Sequence, residues 1–183
     1  MENAAYTLDP LIAPPGASIV IIGMAGAGKT TIGRELAQLI GKPQLDTDCI
    51  IEAYYGTDLQ TISASMSKEA FLDMESAVIC RLRLQDCVIS TGGSVVYREE
   101  SIRRLKKLGP VIYLKVDLPV IIERIARKPE RGLAISPGQT VEDLYNERAA
   151  LYSAVADITV DGGDAPALFY ASEMARRLSL QSP

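Results

Sequence analysis

With 183 residues, 48% of them hydrophobic and 23% charged, the chain has the balance of one soluble globular domain, which excludes a disordered or collagen-like polymer. Nineteen basic against 23 acidic residues leave a net charge of -4, which argues against a nucleic-acid partner, because phosphate neutralisation calls for a basic excess or stripe. The absence of histidine removes every mechanism that needs an imidazole base or ligand.

Residues 1–15 carry Glu2, Asp9, Pro10, Pro14 and Pro15. They lack the basic start and apolar centre of a secretory signal and are expected to form a flexible N-terminal extension. Residues 16–183 are expected to form a single domain. Residues 18–22 read as a buried strand, after which Ile32, Leu36, Leu39 and Ile40 recur at helical spacing until Gly41 ends the helix. Residues 43–46 form a second strand, residues 50–55 helical material, residues 67–84 a longer helix and residues 88–90 a third strand. A charge-rich helix over 99–108, a strand over 111–115 and a helix over 118–127 follow. Residues 128–139 break the pattern with two prolines, two glycines and Arg131, as a lid segment would. Thr140 is placed to cap the next helix, with Glu142 and Asp143 in its first turn. A fifth strand over 158–160 and a last helix over 165–180 complete the chain.

This alternation predicts an α/β fold of three layers, a five-stranded parallel sheet with helices on both faces. No apolar run approaches the ~20 residues that a membrane span needs. Cys49, Cys80 and Cys87 show no CxxC spacing and read as reduced, buried thiols of a cytoplasmic protein.

The first strand runs into Gly23-Met24-Ala25-Gly26-Ala27-Gly28-Lys29-Thr30, which fits the phosphate-loop pattern GxxxxGK[ST] in its strand, loop and helix context. Glycines let the backbone curl with its amides inward, and the helix N-terminus adds further donors for phosphate oxygens. Gly23, Gly26, Ala27, Gly28, Lys29, Thr30 and Thr31 are therefore expected to hold a nucleoside triphosphate. Lys29 would reach the terminal phosphates, and Thr30 would face Mg²⁺. No Asp-x-x-Gly turn occurs, and the nearest candidate for a guanine clamp begins with Leu114, so a GTPase switch is excluded. The third strand ends in Ser90-Thr91-Gly92-Gly93 without the acidic cluster of a motor ATPase. A small-molecule kinase remains. Asp46 and Asp48 leave the second strand at i and i+2, on one side by strand alternation, where one carboxylate can serve the metal and the other the attacking hydroxyl. A carboxylate is a weak base for an alcohol, so Asp48 is expected mainly to orient the nucleophile.

The phosphate loop is followed in order by Leu45-Asp46-Thr47-Asp48, Phe71-x3-Glu75, Thr91-Gly92-Gly93, Arg131 and Arg148-x2-Leu151-Tyr152. Over residues 18–178 this set resembles the shikimate kinase family. The resemblance implies the P-loop kinase fold and transfer of a phosphoryl group from ATP, with Mg²⁺, to a ring hydroxyl of shikimate. By it, Asp46 serves the metal with Thr30, and Asp48 serves the substrate hydroxyl beside Gly92, Gly93 and Ser94. Arg131 closes over the phosphates with Lys29, Arg148 pairs with the substrate carboxylate, and Arg124 and Pro166 flank adenine. The acceptor region is expected over residues 48–84, in a monomer whose partners are small molecules.

Two departures bear on the acceptor. The family has an arginine after the Phe of Phe71-x3-Glu75, gripping the shikimate carboxylate, and this chain has Leu72. Losing a charge-assisted fork would weaken binding by roughly ten- to several hundred-fold. Lys68, one turn earlier on that face, is the local cation left to compensate. Ser94 stands where the family carries a third glycine, and Gly132 where a proline usually follows the lid arginine. Three readings stay open at this point. They are a shikimate kinase, a related kinase for another small hydroxy acid such as homoserine, and a nucleotide-binding regulatory module.

Overall fold

The structure, a computed structural model, describes residues 15–127, 135 and 138–178. Short β-branched runs make the strands. β1 (Ile19–Ile22) is buried along its whole length, and β4 (Val111–Val116) at every residue but Lys115. Strands buried on both faces need helices on both sides, which is the situation of a parallel sheet.

The remaining elements are α1 (Lys29–Leu39), β2 (Gln44–Asp46), α2 (Thr47–Tyr55), α3 (Leu59–Ala64), α4 (Lys68–Arg81), β3 (Val88–Ser90), α5 (Glu99–Leu108), α6 (Leu118–Ala126), α7 (Val141–Val155), β5 (Ile158–Gly162) and α8 (Ala167–Arg177). The sheet order is β2-β3-β1-β4-β5, all parallel, with Ile21 in register with Ser90 on one side and Ile112 on the other. The chain leaves β1 through α1 toward β2, and later leaves β3 through α5 across β1 to β4. These crossovers run in opposite directions, so right-handed connection puts α1 and α5 on opposite faces. α8 packs on α1, whereas α4 packs on α5 and α7 covers β4. The reversal of direction beside β1 opens a crevice at the carboxyl ends of β1 and its neighbours, where the phosphate loop lies.

The expected three layers and five parallel strands are therefore present. An additional helix, α3, lies inside the acceptor region; Asp58 starts it by accepting from the Thr61 amide at 2.8 Å. α4 stops at Arg81 rather than at residue 84, because Leu82 turns extended and its carbonyl accepts from Arg104 Nε at 3.0 Å. A single 3-10 turn, Val95–Tyr97, follows the glycines after β3. Thr140 caps α7 as expected, in a reciprocal box with Asp143. Of the three thiols only Cys87 is buried; Cys80 is half-buried and Cys49 exposed on the outer side of α2, which corrects the expectation that all three are core residues. No helix among the described residues is long and apolar enough to cross a membrane. The N-terminal extension up to residue 14 and most of the lid, including Arg131 and Gly132, lie outside the described residues.

One large core surrounds β1, β3 and β4. A smaller one, formed by Ile51, Ile62, Phe71 and Leu72, sits beneath α2, α3 and α4.

The turn from α5 to β4 is locked onto β1. The Ser18 amide donates to the Leu108 carbonyl and the Val20 amide to the Pro110 carbonyl, both at 2.9 Å. A Cβ on Gly109 would land on the Ser18 carbonyl oxygen. Gly109→Ala should therefore destabilise the fold by about 1–3 kcal/mol, as overpacking of a fixed backbone does. A urea midpoint equal to that of the parent would contradict this.

Candidate active site

The phosphate loop holds Gly23, Gly26 and Gly28 at φ of 144°, 82° and 101°, conformations that side chains disfavour. At Gly23 a Cβ would also lie 2.6 Å from the Leu114 carbonyl oxygen, so only glycine lets the loop leave β1 against β4. Gly28 begins α1 without a side-chain cap, leaving the amides of the first turn, including that of the exposed Thr31, to face the loop mouth. Lys29 is only 6% exposed. Its Nζ donates to the Gly23 and Met24 carbonyls at 2.8 and 2.9 Å, which folds the ammonium over the loop. Ser90 anchors the start of the helix by donating to the Lys29 carbonyl at 3.1 Å.

Thr30 Oγ1 donates to Asp46 Oδ2 at 2.6 Å, while Asp46 Oδ1 accepts from the Asp48 amide at 3.0 Å. Here the structure changes the expected geometry. β2 ends at Asp46, and Asp48 stands in the first turn of α2. The two carboxylates meet the loop because Asp46 caps the helix carrying Asp48, rather than by strand alternation. The Thr30 hydroxyl and Asp46 carboxylate form a hard-oxygen pair suited to Mg²⁺, which takes few protein ligands and completes its shell with water and phosphate oxygens. The described residues contain no cluster of three or more histidine, cysteine or acidic side chains that could hold a metal ion.

Across from the loop, Gly92 and Gly93 bring four elements together. The Gly92 amide donates to the buried Thr47 hydroxyl at 3.1 Å. A Cβ on Gly92 would stand 2.8 Å from Asp48 Oδ1 and nearer still to Glu75 Oε1. A Cβ on Gly93 would stand 3.1 Å from Arg148 Nη1 and 3.3 Å from the Ala25 amide nitrogen. Tyr152 donates to the Gly93 carbonyl at 2.5 Å. Arg148, on α7, is 1% exposed, and its Nε donates to the Tyr97 hydroxyl at 3.2 Å. Its guanidinium carbon lies 5.1 Å from the centre of the Tyr97 ring, and Lys68 Nζ lies 5.2 Å from the same centre. Both cations thus gather at one aromatic ring. Leu72, 2% exposed, belongs to the small core of Ile51, Ile62 and Phe71.

Glu75 is a carboxyl at a core position, 3% exposed on α4. Burial pushes its pKa up to about 7; a hydrogen bond from Ser94 pulls it down, neighbouring Asp48 raises it, and Arg148 and Lys29 lower it. Burial likewise raises the Tyr97 and Tyr152 phenols, which keeps both protonated. At the opposite end of the loop, Arg124 donates to the Ala27 carbonyl at 3.2 Å and to the Gly163 carbonyl at 2.6 Å. It ties the phosphate loop to the turn in which Pro166 begins α8.

The predicted residues Lys29, Thr30, Asp46, Asp48, Gly92, Gly93, Ser94 and Arg148 therefore converge, with Lys68 reaching the same group through Tyr97. Arg124 and Pro166 mark a separate, outer edge. Thr47, Glu75, Tyr97 and Tyr152 were not among the predicted site residues. Glu75 carried a readable signal, an acid at i+3 from Leu72 and i-4 from Ile79 on a buried helical face.

A family model for shikimate kinase matches residues 25–179. The shikimate kinase of Ruegeria pomeroyi is 39% identical over 155 residues, covering 83% of this chain and 80% of that one. That of Vibrio vulnificus is 37% identical over 164 residues, covering 88% and 95%. Among solved structures, a shikimate kinase from Acinetobacter baumannii in complex with shikimate superposes with a TM-score of 0.82 at 31% identity, over 90% of this chain and 94% of that chain. Since the family model spans residues 25–179 and both relatives and a solved structure match over most of the chain, the chain belongs to the shikimate kinase family and is a small-molecule kinase.

Proposed function

We propose that the chain transfers the γ-phosphoryl group of ATP to a hydroxyl of shikimate. The observation that carries this reading is the placement of Asp48 and Arg148 against adjacent glycines, with the phosphate-loop residue Ala25 beside the second of them. An acceptor seated there has its carboxylate directed to a buried guanidinium and its hydroxyl to Asp48. Asp48 accepts a hydrogen bond from that hydroxyl and so aims the oxygen lone pair at the γ-phosphorus. The bond from acceptor oxygen to phosphorus forms as the bond from phosphorus to the bridging oxygen breaks, the hydroxyl proton passes by way of Asp48 to solvent or product phosphate, and ADP leaves. Lys29, released from the Gly23 and Met24 carbonyls, holds the terminal phosphate oxygens with the loop amides.

Thr30 and Asp46 are the residues that would hold Mg²⁺, which when bound disperses phosphate charge. Arg124 and Pro166 are assigned to adenine, and Arg131 to the lid over the phosphates. Lys68 is assigned to the acceptor carboxylate with Arg148, in place of the guanidinium that Leu72 cannot supply. A second reading, with a smaller hydroxy acid such as homoserine as acceptor, is favoured by the burial of Leu72 in the smaller core, which puts an apolar side chain where the family carries a guanidinium.

ADP release measured with shikimate and with homoserine separates the two readings. Saturable turnover with shikimate at low millimolar concentration or below is expected, and turnover with homoserine alone would replace the first reading by the second. Lys29→Ala should abolish transfer. Asp48→Asn should lower kcat by about 10²- to 10⁴-fold while nucleotide titration still shows binding; full activity in this variant would remove Asp48 from the acceptor site. Lys68→Met should raise the KM for shikimate by about tenfold, the loss of one charged contact, and leave the KM for ATP unchanged. Equal effects on both constants would show that Lys68 acts on the fold rather than on the acceptor.

A further inference from the structure

The steps above leave one buried acid unused. Glu75 faces the reacting end of the site from α4. The groups around it are Asp48 from α2, Lys29 from α1, Arg148 from α7, and Ser94 from the segment after β3. Its Oε1 and Asp48 Oδ1 both crowd the point where a Cβ on Gly92 would lie. A carboxyl in this position has two chemically different forms. Protonated, it leaves the positive field of Arg148 and Lys68 available to an incoming anion and presents a hydrogen-bond donor. Ionised, it adds a second negative charge beside Asp48, and it opposes a carboxylate through interactions little screened by solvent.

We propose that Glu75, held by the Ser94 hydroxyl, is a specificity-determining residue of the acceptor site, admitting an anionic acceptor when protonated and opposing it when ionised. This rests on the reading of the acceptor as a carboxylate. Ser94 sets the balance: its hydrogen bond favours the ionised form, so the change occurs at lower pH than it would with glycine at that position. A carboxylic-acid acceptor is itself anionic from pH 6 to 9, so its own titration does not enter.

The test is the KM for shikimate at saturating ATP across that range. The parent should show a rise of about tenfold centred near the pH at which Glu75 titrates, with the KM for ATP flat. In Glu75→Gln the KM for shikimate should stay low and flat, and in Ser94→Gly the rise should move to higher pH. A Glu75→Gln profile that tracks the parent, or a Ser94→Gly profile that does not shift, overturns the proposal. Infrared difference spectra of the acceptor-free protein supply a readout independent of turnover. The carbonyl stretch of a protonated carboxyl should be present at pH 6, fade by pH 8.5 and be missing from Glu75→Gln. Its absence from the parent at pH 6 would overturn the proposal even in an active shikimate kinase. Its presence in a protein without shikimate turnover would support the titration of Glu75 and count against the acceptor assignment alone.

Discussion

The site depends on the space that two absent side chains leave. Gly92 and Gly93 follow β3, between the edge strand β2 and the central β1; Gly92 meets functional groups closer than a Cβ would allow, and Gly93 meets them at distances where a Cβ would be tight. Gly92 faces Asp48 and Glu75, and Gly93 faces Arg148 and the amide of Ala25. The two residues thus set the separation between the phosphate loop and the groups proposed to take the acceptor. Phosphoryl transfer tolerates little error in that separation, because its rate rests on in-line positioning more than on covalent help from the protein. The hydrogen bonds at this turn, from Gly92 to Thr47 and from Tyr152 to Gly93, pin it from α2 and from α7. Neither helix can shift without moving the turn, and with it the acceptor groups.

Much of this could be read from the chain because hard steric rules leave few alternatives. The glycines at 23, 26 and 28 are needed for left-handed backbone, and the β-branched runs of β1 and β4 have no stable place except inside a covered parallel sheet. The helix start at Thr140 followed from a cap that bonds to the backbone within one turn. The rest depended on distant partners. The helix α3 is six residues long, too short to show a period, and is held by its Asp58 cap and by Ile62 in the smaller core. The early end of α4 requires Arg104, over twenty residues further on, to take up the Leu82 carbonyl. The strand ends at Asp46 as expected, but Asp48 does not lie beside Asp46 by strand alternation: it stands in the first turn of α2, which Asp46 caps.

The two departures from the family pattern have different structural meanings. Leu72 completes an apolar cluster with Ile51, Ile62 and Phe71, where it packs α4 against α2 and α3. Ser94 is buried and directs its hydroxyl toward Glu75, an effect that no single-position reading of the sequence would reveal. Together they leave a buried leucine and a hydrogen-bonded acid in the interior beside the proposed acceptor site. Tyr97 then serves as the platform at which Arg148 and Lys68 gather.

Asp46 has two oxygens with two employers. One accepts from the Thr30 hydroxyl at the triphosphate end, and the other holds the amide of Asp48 at the start of α2. On the proposed assignment, a cation held by the first oxygen would pull on the same carboxylate that steadies the second. Occupancy at the two ends would then be thermodynamically linked, and linkage of binding free energies is reciprocal: whatever factor the donor complex applied to acceptor affinity, the acceptor would return to the donor complex. A single short side chain would then couple the two substrate sites.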